Sequence, residues 1–270
     1  MKILSGLSLE EIEKITDELH ASKFRARQIH NWIYLKSVKN IDEMTDLSVK
    51  FREELKQVAT VTDVQIKVKQ VSSDGTIKYL IQYPDGECVE TVLMRFDNRA
   101  NLTACVSSQI GCAVNCSFCA TGKRGFIRNL SYKEIIEQVL TIQRDTGLKV
   151  TNIVFMGQGE PLLNLKNVLQ ALDIFNKNFQ IGARRITIST SGIVPQIKEL
   201  ANKTKISENY IANKVLELAK VNSGQGKLSH IGYYLISEGK DKLYKSLQVN
   251  ERKSIRKERS QVSLGALASF

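Results

Sequence analysis

Three times between residues 103 and 202, a short apolar run is followed by an amphipathic stretch with helical period: TACVSSQ before 131–146, NIVFMG before 165–178, and RITIST before 193–202. Strands that alternate with helices in this way pair in parallel and carry the helices on the outside of the sheet. The chain is therefore predicted to be α/β, with its functional residues at the C-terminal ends of the strands. Three strands are too few to close a barrel.

The flanking segments obey other periods. Ser8-Leu9-Glu10-Glu11 has the spacing of a capping box, in which a serine oxygen and a glutamate satisfy orphan amides at a helix start. Ile12, Ile15, Leu19, Ile29, Trp32, Ile33, Phe51 and Leu55 then recur at helical spacing, so residues 1–58 are predicted to be a helical N-terminal domain. Lys23, Arg25, Arg27 and His30 give one of its helices a basic flank. Over 59–100 the period falls to two. VQIKVKQ, TIKYLIQY and CVETVLMR, separated by the turn signals SSDG and PDG, predict a small antiparallel meander. The β-α series fills 101–202. Residues 203–247 read as a helical appendage, and 248–270 as a basic, Ser-rich disordered tail.

Composition excludes several classes. With 42% hydrophobic and 25% charged residues and three prolines in 270, the chain is globular. No apolar run approaches the roughly 18 residues of a membrane span. The N-terminus turns acidic by Glu10 and lacks a signal peptide's apolar core, so the expected location is cytoplasmic, with no membrane partner. A net charge of +11 suggests a polyanionic partner such as RNA. The surplus is uneven, however: residues 1–200 hold 26 Lys and Arg against 22 Asp and Glu, and residues 201–270 hold 13 against 6.

The five cysteines, Cys88, Cys105, Cys112, Cys116 and Cys119, lie within 32 residues, and none occurs in the 151 that follow. An odd, crowded set points to metal or thiol chemistry in a reducing compartment more than to a disulfide framework. Cys112-Ala-Val-Asn-Cys116-Ser-Phe-Cys119 puts three thiols on one short loop after the first strand of the β-α series. A C-x3-C-x2-C loop suits one corner of an iron–sulfur cluster and leaves one iron open, whereas structural zinc normally takes four ligands. Zinc with Cys105 or His30 as a fourth ligand, and unliganded thiols, are the alternatives.

The C-x3-C-x-Φ-C loop resembles the signature of radical S-adenosylmethionine (SAM) proteins. Together, ETVLMR, CVSSQIGCAVNCSFCATGKRGFIRNLSYKEIIEQV, NIVFMGQGEPLLN and RRITISTSGIVP resemble the dual-specificity adenine carbon-2 RNA methyltransferases of RlmN type, over about residues 5–200. The resemblance implies a helical N-terminal domain, a small sheet and an incomplete radical-SAM (β/α) barrel of about three β-α units. It assigns Cys112, Cys116 and Cys119 as ligands of a 4Fe-4S cluster, and Gly159, Glu160 and Ser189 as SAM contacts. Glu90 matches the proton acceptor at the adenine, and Cys105 matches the thiol that resolves a covalent RNA adduct by forming a disulfide. Cys88 matches no functional position and reads as a packed small residue. Gly157-Gln158-Gly159 lacks the third glycine of a dinucleotide fingerprint. The implied substrates are adenines of 23S rRNA and tRNA, with an external electron donor such as flavodoxin.

Carbon 2 of adenine is electrophilic and does not attack the SAM methyl, which is why the family uses a radical route through a methylated C-terminal cysteine. That cysteine has no counterpart after Cys119, and neither does the family's later Ser-Leu-His contact. Instead, ISENYIANKVLELAK and GKLSHIGYYLISEGKDKL resemble a non-catalytic helical segment of cyclic β-1,2-glucan synthases, where His230 reads as a packed helix residue. The expectation is a truncated and fused family member that does not complete methyl transfer by itself. The alternative is a non-catalytic remnant that binds RNA and an iron–sulfur cluster.

Overall fold

The structure is a computed structural model that describes residues 1–96, 99–193 and 195–196. The expected appendage at 203–247, the tail at 248–270 and most of the helix expected at 193–202 lie outside the described residues.

The N-terminal part contains β1 (Lys2–Ile3), α1 (Leu9–Glu18), α2 (Lys23–Tyr34), a 3-10 turn (Ile41–Glu43), α3 (Val49–Val58) and β2 (Ala59–Thr60). The capping box forms as the sequence implies: the Glu11 amide donates to Ser8 Oγ and the Ser8 amide to Glu11 Oε2. Ile12, Ile15, Ile29, Ile33 and Leu55 are buried. The ends of this unit are tied by a parallel β1–β2 pairing, Lys2 to Ala59 and Ile3 to Thr60. Strands two residues long carry no periodic signal and so cannot be read from residue pattern.

Next come β3 (Gln65–Val71), β4 (Ile77–Gln82), β5 (Cys88–Phe96), β6 (Arg99–Cys105), β7 (Gln109–Gly111), α4 (Ala120–Arg124), β8 (Phe126–Asn129), α5 (Tyr132–Thr146), β9 (Asn152–Phe155), α6 (Leu165–Lys177) and β10 (Ile186–Ile188). The predicted turns hold, with Gly75 and Gly86 at positive φ. A second capping box, Ser131 with Glu134, opens α5, and Gly147 closes it in the left-handed region at φ 68°.

One six-stranded sheet runs β10-β9-β6-β5-β4-β3. The meander and the parallel series, separate blocks in the sequence, are continuous here because β6 has two roles. It pairs antiparallel with β5 (Cys105 opposite Val92) and parallel with β9 (Cys105 opposite Val154).

Register divides the sheet into two unlike faces. Ile77, Tyr79, Ile81, Val89, Leu93, Ala104, Ile153, Phe155, Ile186 and Ile188 are buried on one. Helix α5 covers this face: the Tyr83 hydroxyl donates to the Glu134 carbonyl at 3.0 Å and the Tyr79 hydroxyl to Asp145 at 2.7 Å. The other face alternates with it and carries Lys78, Leu80, Glu90, Val92, Cys105, Val154 and Thr187, most of them half-buried or exposed. An antiparallel meander has one face free for solvent or ligand, and here that freedom extends onto the parallel strands.

Candidate functional site

Strand alternation puts Glu90, Cys105 and Ser189 on the open face. Val92, Cys105, Val154 and Thr187 are neighbours across four strands, Glu90 lies two residues before Val92, and Ser189 two after Thr187. Ser189 continues the line of β10, its amide donating to the Phe155 carbonyl at 3.3 Å. Glu90 is exposed, and its Oε1 lies 3.1 Å from Lys78 Nζ on β4. Cys105 ends β6. Burial raises its thiol pKa above the usual range, opposed by the nearby Met156 amide. All five cysteines are free. The disulfide implied for Cys105 is therefore not found, for the physical reason that its expected partner has no counterpart after Cys119.

The cysteine loop springs from a two-stranded ribbon that sequence reading missed. β7 pairs with β8, Gln109 opposite Asn129 and Ile110 opposite Arg128. The Cys112 amide closes the loop on the Gly125 carbonyl at 3.0 Å. Gly111 has φ 72°, and a Cβ there would sit 1.8 Å from the Gly125 oxygen, so only glycine permits the closure. Within the loop, the Cys119 amide donates to the Cys116 carbonyl at 3.1 Å, Asn115 turns through φ 53°, and Gly122 packs on the Cys116 backbone, where a Cβ would approach within 2.9 Å. The tip of the β4–β5 hairpin braces the far side. Asp85 and Glu134 both pair with Arg128, at 2.6 and 2.7 Å, and Glu87 pairs with Arg124 at 3.3 Å.

Cys112, Cys116 and Cys119 are each partly accessible. Among the described residues, no three Cys, His, Asp or Glu side chains are gathered to hold a metal ion. His30 does not join the cysteines as a ligand there: it packs on Tyr34 in α2, ring centroids 4.6 Å apart, with its pKa lowered by burial. The chemistry of the donor set nevertheless suits an iron–sulfur cluster. Three unpaired thiols sit on one loop whose two ends are pinned by backbone hydrogen bonds, and thiolate sulfur is the ligand such clusters take.

Beside the ribbon, the chain leaving β9 turns through Gly157-Gln158-Gly159-Glu160. The Gly157 amide donates to the Val106 carbonyl at 3.1 Å, and a Cβ on Gly157 would lie 2.7 Å from Ser107 Oγ. Gly159 has φ 94° and lies against the Gln109 side chain, which a Cβ would meet at 2.5 Å. Glu160 is 4% exposed. Its Oε1 accepts from the Leu162 amide at 3.0 Å and its Oε2 from the Ser191 amide at 2.6 Å. The carboxylate thus ties the end of β9 to the end of β10. Two oxygens offer about four acceptor positions, so capacity remains for a further donor.

A buried polar network, which sequence reading missed, supports both loops. Ser107, Ser108, Gln109 and Gln138 are each at most 1% exposed. Gln138 makes two hydrogen bonds to the Ser107 backbone, at 2.8 and 2.9 Å. Ser107 Oγ donates to the Glu90 carbonyl at 2.7 Å and accepts from the Gln158 amide at 2.9 Å. Asn164 donates to the carbonyls of Ser108 and Leu130, at 2.8 and 2.7 Å. The available signal was the polar run Ser107-Ser108-Gln109 between apolar Val106 and Ile110.

Residues 3–61 match the family model for the ribosomal RNA large subunit methyltransferase N-terminal domain, and residues 106–211 match that of the radical SAM superfamily. The crystal structure of a radical SAM methyltransferase from Sphaerobacter thermophilus is 40% identical, with a TM-score of 0.68 over 74% of this chain and 60% of that one. Over residues 106–211, the fold, the cysteine loop and these matches are those of the radical SAM superfamily. The similarity extends further, to proteins described as "Probable dual-specificity RNA methyltransferase RlmN". That from Alkaliphilus oremlandii is 47% identical over 74% of this chain and 58% of its own length, and that from Thermotoga neapolitana 44% over 75% and 60%. Over the matched three quarters, the chain resembles the dual-specificity RNA methyltransferases of RlmN type. It spans about three fifths of the length of these curated relatives. The superfamily and the family use a 4Fe-4S cluster and SAM.

Proposed function

We propose that this chain binds a 4Fe-4S cluster through Cys112, Cys116 and Cys119 and SAM beside it, on the open face of its sheet. The proposed role is the family's: modification of adenine carbon 2 in 23S rRNA and tRNA. One observation carries the reading. The segment that carries β7 and the cysteine loop follows β6, the Gly157–Glu160 turn follows β9, and these two strands are adjacent and parallel, so both segments leave the sheet at the same end. When bound, the cluster supplies an electron to SAM, and an external donor has to replenish it. The partial radical-SAM barrel at 101–202 and the helical domain at 1–58 belong to this reading, as does a reducing cytoplasmic setting. Among the described residues no helix is long and apolar enough to cross a membrane.

The roles of the chain's own residues follow from position. Gly159 allows close backbone approach to SAM, and Glu160 offers its carboxylate to the SAM ammonium, a charge-assisted contact. Ser189 faces the same side from β10. Glu90 accepts the proton from adenine carbon 2, with Lys78 Nζ 3.1 Å from its Oε1. Cys105 is the resolving thiol, and burial raises its pKa. No cysteine follows Cys119 to carry the methyl group. We therefore infer that the 270-residue chain binds cluster and SAM but does not by itself complete methyl transfer. Mass detection of adenine carbon-2 methylation by the purified, reconstituted chain tests this: none is expected, and turnover overturns the inference.

A further inference from the structure

We propose that Gln109 is a positioning residue that couples the cysteine-loop ribbon to the SAM-binding turn. The proposal rests on the reading of Glu160 as a SAM contact, and it assigns a role to a side chain outside that contact.

The geometry is specific. Gln109 opens β7, the strand that leads directly into the cysteine loop, and is 1% exposed. Its Oε1 accepts from the Glu160 amide at 2.9 Å, and its Nε2 donates to Asn129 Oδ1, on the paired strand β8, at 2.7 Å. Its own amide donates to the Gln158 carbonyl at 3.2 Å. Gly159, at φ 94°, lies directly over its Cβ and Cγ. One side chain therefore spans the gap between the ribbon under the cysteines and the turn that carries Glu160. The two groups that must be in register for a cluster and SAM to meet are held to each other by this link.

A buried amide left without its acceptor costs its full desolvation penalty, so the turn would shift or open when Gln109 Oε1 is lost. The turn would then present Glu160 in more than one arrangement. The cysteines do not depend on that bond, because Cys112 is closed on Gly125 separately. Loss of Gln109 should thus weaken SAM binding while leaving the cluster in place.

The experiment is equilibrium dialysis with labelled SAM on the anaerobically reconstituted full chain, with iron and sulfide measured on the same samples. Gln109→Met is expected to retain its iron and sulfide and to bind SAM roughly tenfold more weakly. Asn129 is exposed, and Asn129→Ala releases the other end of the link without opening the core; it should weaken SAM binding by about two- to fivefold. If Gln109→Met does not fold, the Asn129→Ala result decides. Parental SAM affinity in both Gln109→Met and Asn129→Ala overturns the coupling, as does loss of iron together with SAM. Glu160→Gln is measured in parallel. Unchanged affinity there overturns the SAM-site reading itself, whereas a loss confined to Glu160→Gln overturns only the role of Gln109.

Discussion

The hydroxyl of Ser107 donates to the backbone carbonyl of Glu90 at 2.7 Å, joining the strand that carries the proposed proton acceptor to the loop between β6 and the cysteines. The same oxygen accepts from the Gln158 amide at 2.9 Å, so one buried hydroxyl touches all three parts of the site. Ser107→Ala removes both bonds and leaves a carbonyl and an amide without this partner. The expected cost is about 1–3 kcal/mol of stability, read as a lower urea midpoint with unchanged slope.

Gly111→Ala should be more damaging than an ordinary Gly→Ala change. Its Cβ would stand 1.8 Å from the Gly125 oxygen, and its φ of 72° disfavours any side chain. The ribbon cannot close around that atom without moving Gly125 and the Cys112 amide bonded to it. Iron and sulfide content after reconstitution should fall by at least half in this variant. Gly182→Ala, where a Cβ meets nothing within 4 Å, is the matched control and should keep the parental content.

Arg144 and Glu137 form a buried ion pair on α5, with side-chain exposures of 8% and 6%. Thr62 Oγ1 donates to Glu137 at 2.5 Å and Arg144 donates to Ser5 Oγ at 3.2 Å, so the pair also anchors the N-terminal unit. Arg144→Ala leaves a buried carboxylate uncompensated and is expected to cost about 3–5 kcal/mol. The double variant Glu137→Leu with Arg144→Met should recover most of that loss, because two apolar side chains replace two charges. Thermal unfolding of the three proteins distinguishes these outcomes.

Cys105 should alkylate later in a pH titration than an ordinary thiol. Burial raises its pKa, so the thiolate fraction at a given pH is smaller than in a free cysteine, and the rise in rate moves to higher pH. Mass-resolved iodoacetamide labelling of the cluster-free chain reads this directly. A half-maximal rate at or below the ordinary cysteine value of about 8.5 would show that Cys105 is not shielded in the way described.

Much of this architecture was legible because each signal was local. The capping box at Ser8, the glycine turns at Gly75 and Gly86, and the period-two runs of β3 to β5 each need only a few neighbouring residues to be read. The parts that escaped depend on partners far along the chain. Ser107 is satisfied by Gln138, 31 residues away, and Gln109 by the Glu160 amide, 51 residues away. In the sequence alone, Ser-Ser-Gln reads only as a polar interruption in a strand. The continuity of the sheet was hidden for a related reason. An interior strand pairing antiparallel on one side and parallel on the other has no distinctive residue pattern, so β6 read only as the start of the parallel series. The ribbon of β7 and β8, three and four residues long, is too short for any period to register.

The most direct measurement is the iron and acid-labile sulfide content of the full chain after anaerobic reconstitution, compared with Cys112→Ala, Cys116→Ala and Cys119→Ala. About four irons and four sulfides per parental chain are expected, with a brown, oxygen-sensitive chromophore that each substitution sharply reduces. Stoichiometric zinc in place of iron, or iron binding that survives all three substitutions, would contradict the assignment of the cysteine loop.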